Sequence, residues 1–263
     1  MWKLIFAPWH FEPMVVAAIL VTAALHWRGH SALHRASAVA FYAGLAAIAV
    51  ALLSPVDDLA DALFSGHMAQ HLLLILLAAP LLAISRAGAV LFLALPRQLR
   101  MPLSHAASWL PRAWRPVTFW LGFIAIFLFW HLPQAYGWAR ESEAVHISEH
   151  LTLLLSACAF WSVIFASRAR APSFAARSLF CVITAFVTDL PAVIMIFSPV
   201  AFYTGDPVAV ARWGLTPLED QQLAGLMMWV PASFLFFGAA IWCFARYLSP
   251  QPPSPALRLE VSI

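Results

Sequence analysis

Charge is what this sequence has least of. Only 10% of its 263 residues are Asp, Glu, Lys or Arg, against roughly 25% in soluble domains. Too few polar groups remain to cover a water-facing surface, which excludes an ordinary soluble globular fold. Cysteine is almost as scarce: Cys158, Cys181 and Cys243 stand far apart inside apolar stretches, with no CxxC pair. A disulfide framework and a cysteine zinc site are therefore excluded. No run of basic residues is present, which excludes a nucleic-acid surface.

What is abundant is apolar: 63% hydrophobic residues and a mean hydropathy of +0.83. Apolar stretches long enough to cross a bilayer, about 17–25 residues each, fall at seven places: 11–27, 37–53, 67–84, 116–132, 145–166, 178–199 and 223–244. The expected fold is thus an all-α integral membrane protein of seven transmembrane helices within a membrane domain 1–248. A short apolar run at 87–95 reads as interfacial. A single lysine followed by Trp9, His10, Glu12 and Pro13 leads into the first stretch, a poor signal-peptide start, and the stretch is read as a retained anchor. The segment 249–263, with Pro250, Pro252, Pro253 and Pro255, reads as a Pro-rich cytoplasmic tail.

Orientation follows from Lys and Arg, which accumulate in cytoplasmic connections. With the N-terminus outside and the C-terminus cytoplasmic, twelve of these residues fall inside and only Lys3, Arg140 and Arg212 outside. The acidic run Asp57-Asp58-Leu-Ala-Asp61 then reads as a solvated outer loop.

The third and fifth stretches open alike. His67-Met-Ala-Gln-His71-Leu-Leu-Leu-Ile-Leu-Leu-Ala78 and His146-Ile-Ser-Glu-His150-Leu-Thr-Leu-Leu-Leu-Ser-Ala157 share six of twelve positions, including both histidines. A spacing of four places each pair on one helical face. His131 ends the fourth stretch at the same outer level, so five histidines from three helices share one layer. Buried polar side chains must find partners, which makes His71 and His150 the leading metal ligands, with His67, His131 and His146 completing or exchanging within the site. Met68, Glu149, Asp220 and Met228 lie at similar depth as secondary candidates. Asp189 lies nearer mid-membrane, two residues before Pro191. His26, His30, His34 and His105 read as cytoplasmic loop residues, and His10 as an outer one. Imidazole with thioether nearby suits copper, particularly the cuprous state, and imidazole alone also suits zinc.

Four motifs together, His67-Met68-Ala-Gln70-His71, Trp130-His131-Leu-Pro133-Gln-Ala-Tyr136, His146-xx-Glu149-His150 and Asp220-Gln221-Gln222-Leu-Ala-Gly225-Leu-Met-Met228-Trp229, resemble the multi-span CtaG-type cytochrome c oxidase assembly factors of bacteria from about Phe6 to Phe244. Ala79-Pro80 and Ser85-Arg86 depart from that family's pattern at the inner end of the third stretch. The resemblance implies a multi-pass protein of the bacterial cytoplasmic membrane. It would assemble the oxidase, supporting copper insertion without enzymatic activity, with oxidase subunits and periplasmic copper chaperones as partners. Three other readings compete. A transmembrane b-type cytochrome would use His71 and His150 as axial haem ligands. An HxxEH zinc peptidase would use His146, Glu149 and His150. A transporter would need a polar path across the membrane, and only Asp189 lies deep.

Overall fold

The computed structural model describes residues 9, 12–29, 35–108, 111, 113–166, 172–203 and 205–249. The tail after Ser249 and His10, His30 and His34 lie outside the described residues. Among the described residues the chain forms twelve helices and no strand: α1 (Pro13–Gly29), α2 (Arg35–Leu53), α3 (Pro55–Ala62), α4 (Phe64–Ile84), α5 (Ala87–Ala94), α6 (Arg97–Ser108), α7 (Arg115–Trp130), α8 (Pro133–Glu141), α9 (Glu143–Ile164), α10 (Phe174–Phe197), α11 (Pro207–Ala211) and α12 (Pro217–Leu248). Pro55, Pro133, Pro207 and Pro217 each open a helix, where the missing N–H costs nothing and the fixed φ suits the first turn. At Thr216 a capping box with Glu219 satisfies two more orphan donors.

Four helices, α4, α9, α10 and α12, are long and apolar enough to cross a membrane, and six spans result if α2 with α3 and α7 with α8 each count as one bent span. The remaining expected stretch, 11–27, corresponds to α1, an apolar helix of 17 residues. The outward faces are apolar, with Phe197 72% and Phe234 78% exposed, as hydrocarbon rather than water would require.

Three expectations change, one of them His105, which lies in helix α6 rather than in a loop. The acidic run is helix α3, begun by the Ser54 cap, with Asp57 accepting from the buried Gln70 side chain at 2.7 Å. Periodicity alone does not reveal a helix of eight residues, but Ser54-Pro55 supplies its start signal. His26 lies inside α1 rather than in a loop, fully buried and stacked on Phe41 with ring centroids 3.7 Å apart. The segment read as interfacial is α5, whose Leu91 packs on the small core of Phe41, Leu45 and Ala87 together with Ile19 and Ala23 of α1.

The larger core lies between α4, α7, α9, α10 and α12, around Phe123, Phe160, Trp161, Met195 and Phe236. Within α4, residues Leu73–Ala78 widen into a π-helix in which the Ala79 N–H reaches back to the Leu74 carbonyl. Pro80 follows directly and has no N–H to donate. The Trp161 indole of α9 donates to the Ile75 carbonyl at 3.1 Å, satisfying a backbone group in the widened turn. Close approaches at glycine fix α3 against α4 and α12 against α10. A Cβ at Gly66 would stand 2.3 Å from the Leu59 carbonyl oxygen of α3, and one at Gly225 would stand 2.8 Å from that of Ala192.

Gly66→Ala is expected to push α3 off α4 and lower stability by about 1–3 kcal/mol. Gly122→Ala, whose Cβ meets nothing within 4 Å, is expected to leave it unchanged or slightly raised. Thermal unfolding in detergent micelles measures both.

Candidate metal centre

Three helix ends deliver the polar side chains to one place. α4 has no capping side chain of its own at Leu63. Its cap comes from α12 instead: Phe64 N–H and Ser65 N–H donate to the Asp220 carboxylate at 2.7 and 3.1 Å, and the Ser65 hydroxyl donates at 2.5 Å. A carboxylate at a helix N-terminus meets both the orphan N–H groups and the positive end of the dipole. His67 and His71 follow one and two turns later, their ring centroids 4.4 Å apart. In α9, His146 and His150 repeat the arrangement at 4.4 Å, with Glu149 between them. α7 stops at His131 because Leu132, preceding Pro133, is extended (φ −80°, ψ 136°). The His131 ring stacks on Phe127 at 4.0 Å, and its Nδ1 lies 2.7 Å from the Phe127 carbonyl. That carbonyl can only accept, so Nδ1 carries the proton and Nε2 keeps a free lone pair.

The five imidazoles interlock. His67 lies 5.4 Å from His146 and 5.7 Å from His150, while His71 lies 5.3 Å from His150 and 5.9 Å from His131, centroid to centroid. One ligand atom each from His67, His146, Glu149 and His150 fall within 4.8 Å of one another. The Glu149 side chain has no exposed surface; Oε2 is 3.4 Å from His67 Nε2, and Oε1 is 3.5 Å from His71 Nε2. The Nε2 atoms of all five histidines, both Glu149 oxygens and the Tyr136 hydroxyl are buried without a hydrogen-bond partner. Buried polar groups are satisfied in the great majority of cases, so this many orphans facing one another calls for a ligand. The 3.4–3.5 Å separations are long for hydrogen bonds. They match roughly 3.3 Å, the distance between two ligand atoms bound at about 2.0 Å to one tetrahedral ion. The donor set therefore fits a metal that accepts imidazole and carboxylate. Beside it runs a cavity of about 20 Å³, lined by His71, His131, Phe127, Thr188 and Met228 among others.

All five histidines singled out from sequence thus meet, together with Glu149. His71 and His131 stand just outside the tightest group of four. Of the other candidates, Met228 borders the cavity, while Met68 is buried in the larger core. Asp220 is occupied in capping α4. Asp189 faces Ser233 of α12, whose hydroxyl lies 3.1–3.2 Å from its oxygens, and is not brought to the histidines.

Tyr136, at the end of the Trp130–Tyr136 motif, carries no ligand signal in the sequence, yet its ring meets His67 edge-on at 5.5 Å. Tyr203 was without any signal, since it lies in a loop. Its ring stacks on Phe64 at 4.5 Å and its hydroxyl donates to the His131 carbonyl. Burial pushes its phenol up to about 12, which keeps it protonated and donating. Asp220→Ala is expected to cost about 1–3 kcal/mol by leaving two buried amides unpaired. It should also speed hydrogen exchange at Phe64 and Ser65, read by mass spectrometry of the intact protein in detergent.

A search of curated proteins and a search of solved structures each gave no match. The profile of one protein family, described as the cytochrome c oxidase caa3 assembly factor family (Caa3_CtaG), matches residues 16–249. That range holds all four motifs and every residue of the histidine layer, and its description is of an assembly factor rather than an enzyme. The chain belongs to the cytochrome c oxidase caa3 assembly factor family.

Proposed function

We propose that this protein binds copper at the layer formed by His67, His71, His131, His146, His150 and Glu149, and supports copper insertion into the oxidase it helps to assemble. One observation carries the reading: six side chains from three helices turn buried, unpaired ligand atoms toward one another, four of them within 4.8 Å. Imidazole suits copper and zinc alike; an oxidase that holds haem and copper tips the choice to copper. The protein would sit in the bacterial cytoplasmic membrane with seven spans, N-terminus outside and C-terminus cytoplasmic. The asymmetric arginines support that topology, as does the length of α1, about 26 Å at the helical rise and near the thickness of the hydrocarbon core. The layer would then lie toward the outer face, where oxidase subunits and periplasmic copper chaperones would meet it.

The geometry favours an ion over the alternatives. A haem between His71 and His150 would need an empty slot, yet their rings are 5.3 Å apart at 87° and the adjoining cavity is small. Glu149 has an imidazole facing each oxygen, which supports a ligand rather than the general base of a peptidase.

The test is metal content by mass spectrometry, with an absorption spectrum, of detergent-purified protein and its His71→Ala/His150→Ala variant. Copper bound to the wild type, lost from the variant, with no Soret band, is the expected result. No metal in either after copper loading under reducing conditions would overturn the proposal and leave a scaffold. Protons compete with the ion for each imidazole, so affinity is expected to fall between pH 7 and pH 5. Equal affinity by equilibrium dialysis at the two pH values would contradict imidazole ligation.

A further inference from the structure

The donors are too many for one ion. A tetrahedral site is closed by four ligands, and His67, His146, Glu149 and His150 already supply four atoms in mutual reach. His71 and His131 are left over, both at least 95% buried, with orphaned nitrogens that a single ion in the first group would leave unsatisfied. They are not remote from it. His71 Nε2 lies 3.5 Å from Glu149 Oε1, the oxygen other than the one at 3.4 Å from His67 Nε2.

We infer that the layer is a two-ion centre, with His67, His146 and His150 holding one ion, His71 and His131 holding a second, and the two oxygens of Glu149 bridging them. The inference rests on the proposed copper-binding reading and deepens it. Each half has its own support. The ring centroids of His71 and His131 are 5.9 Å apart, within the roughly 6 Å span that two imidazoles reach when both bind one ion at about 2 Å. The cavity opens beside this second pair, and Met228 borders it. A thioether next to two imidazoles suits the cuprous state.

Charge points the same way. Neutral imidazoles add no charge, so one carboxylate faces both ions, and uncompensated charge in an apolar interior is costly. Two monovalent ions against one carboxylate leave a single positive charge, whereas two divalent ions would leave three. The centre therefore takes cuprous ions. The backbone contact that fixes His131 Nδ1 as a donor leaves that ring one ligand atom, and the Phe127 stack holds it toward the cavity.

The experiment is an anaerobic titration of the detergent-purified full chain with a cuprous salt, counting bound ions by native mass spectrometry. Two ions are expected in the wild type, one in His131→Ala, one in His146→Ala/His150→Ala, and at most one in Glu149→Gln. The wild-type count decides the matter even where a variant fails to fold. One ion in the wild type would overturn the two-ion centre while leaving the proposed function standing. No ion in the wild type would overturn both. Two ions persisting in a folded His131→Ala would remove the second site as assigned.

Discussion

A carboxylate with no exposed surface, placed among five imidazoles inside an apolar helix bundle, is the constraint on which the rest of this structure depends. Left unpaired, each of these groups would cost free energy in hydrocarbon. No water-facing edge relieves Glu149, and its oxygens find only imidazole nitrogens beyond hydrogen-bonding distance. A protein gains nothing in stability from such an arrangement, because replacing buried ionic groups by apolar ones is often neutral or favourable. The arrangement fits a receptor that a cation would complete.

The surrounding structure serves to hold these donors still. Asp220 crosses from α12 to cap α4, so the same interaction that starts the helix also sets the height of His67 and His71. Pro133 forces α7 to stop at His131, and the α7–α8 bend of 73° carries Tyr136 back over His67. Gln70, fully buried between the two histidines of α4, donates to the Ala51 carbonyl and to Asp57, tying the ligand-bearing helix to α2 and α3. Below the layer, the π-helical turn and the Trp161 indole join α4 to α9. Each device holds in place a helix that carries one or more of the clustered side chains, as a preorganised site requires.

Most of the helices and the whole histidine layer were legible in the sequence. The reason is periodicity: apolar runs of membrane length leave a strong signal, and a spacing of four fixes which side chains share a helical face before any tertiary contact is known. His131 was legible because Pro133 ends its helix. Relations between helices were not. Nothing in Asp220-Gln221-Gln222 tells whether the carboxylate binds a metal or caps a distant helix, and the structure assigns it the cap. His26 read as a loop residue, yet its ring stacks on Phe41 from another helix. Tyr203 sits in an irregular segment whose geometry is set wholly by tertiary contacts. The division of the donors into a close group of four, three histidines with Glu149, and a remaining histidine pair depends on distances across three helices, which spacing along one chain does not carry.

X-ray absorption at the copper edge, on copper-loaded protein in detergent, reports the atoms around the ion itself. A histidine and carboxylate centre gives a first shell dominated by nitrogen and oxygen at about 2.0 Å, with the outer-shell scattering typical of imidazole. A first shell dominated by sulfur at about 2.3 Å would contradict it, placing the ion on the cysteines or methionines and leaving the histidine layer without a ligand.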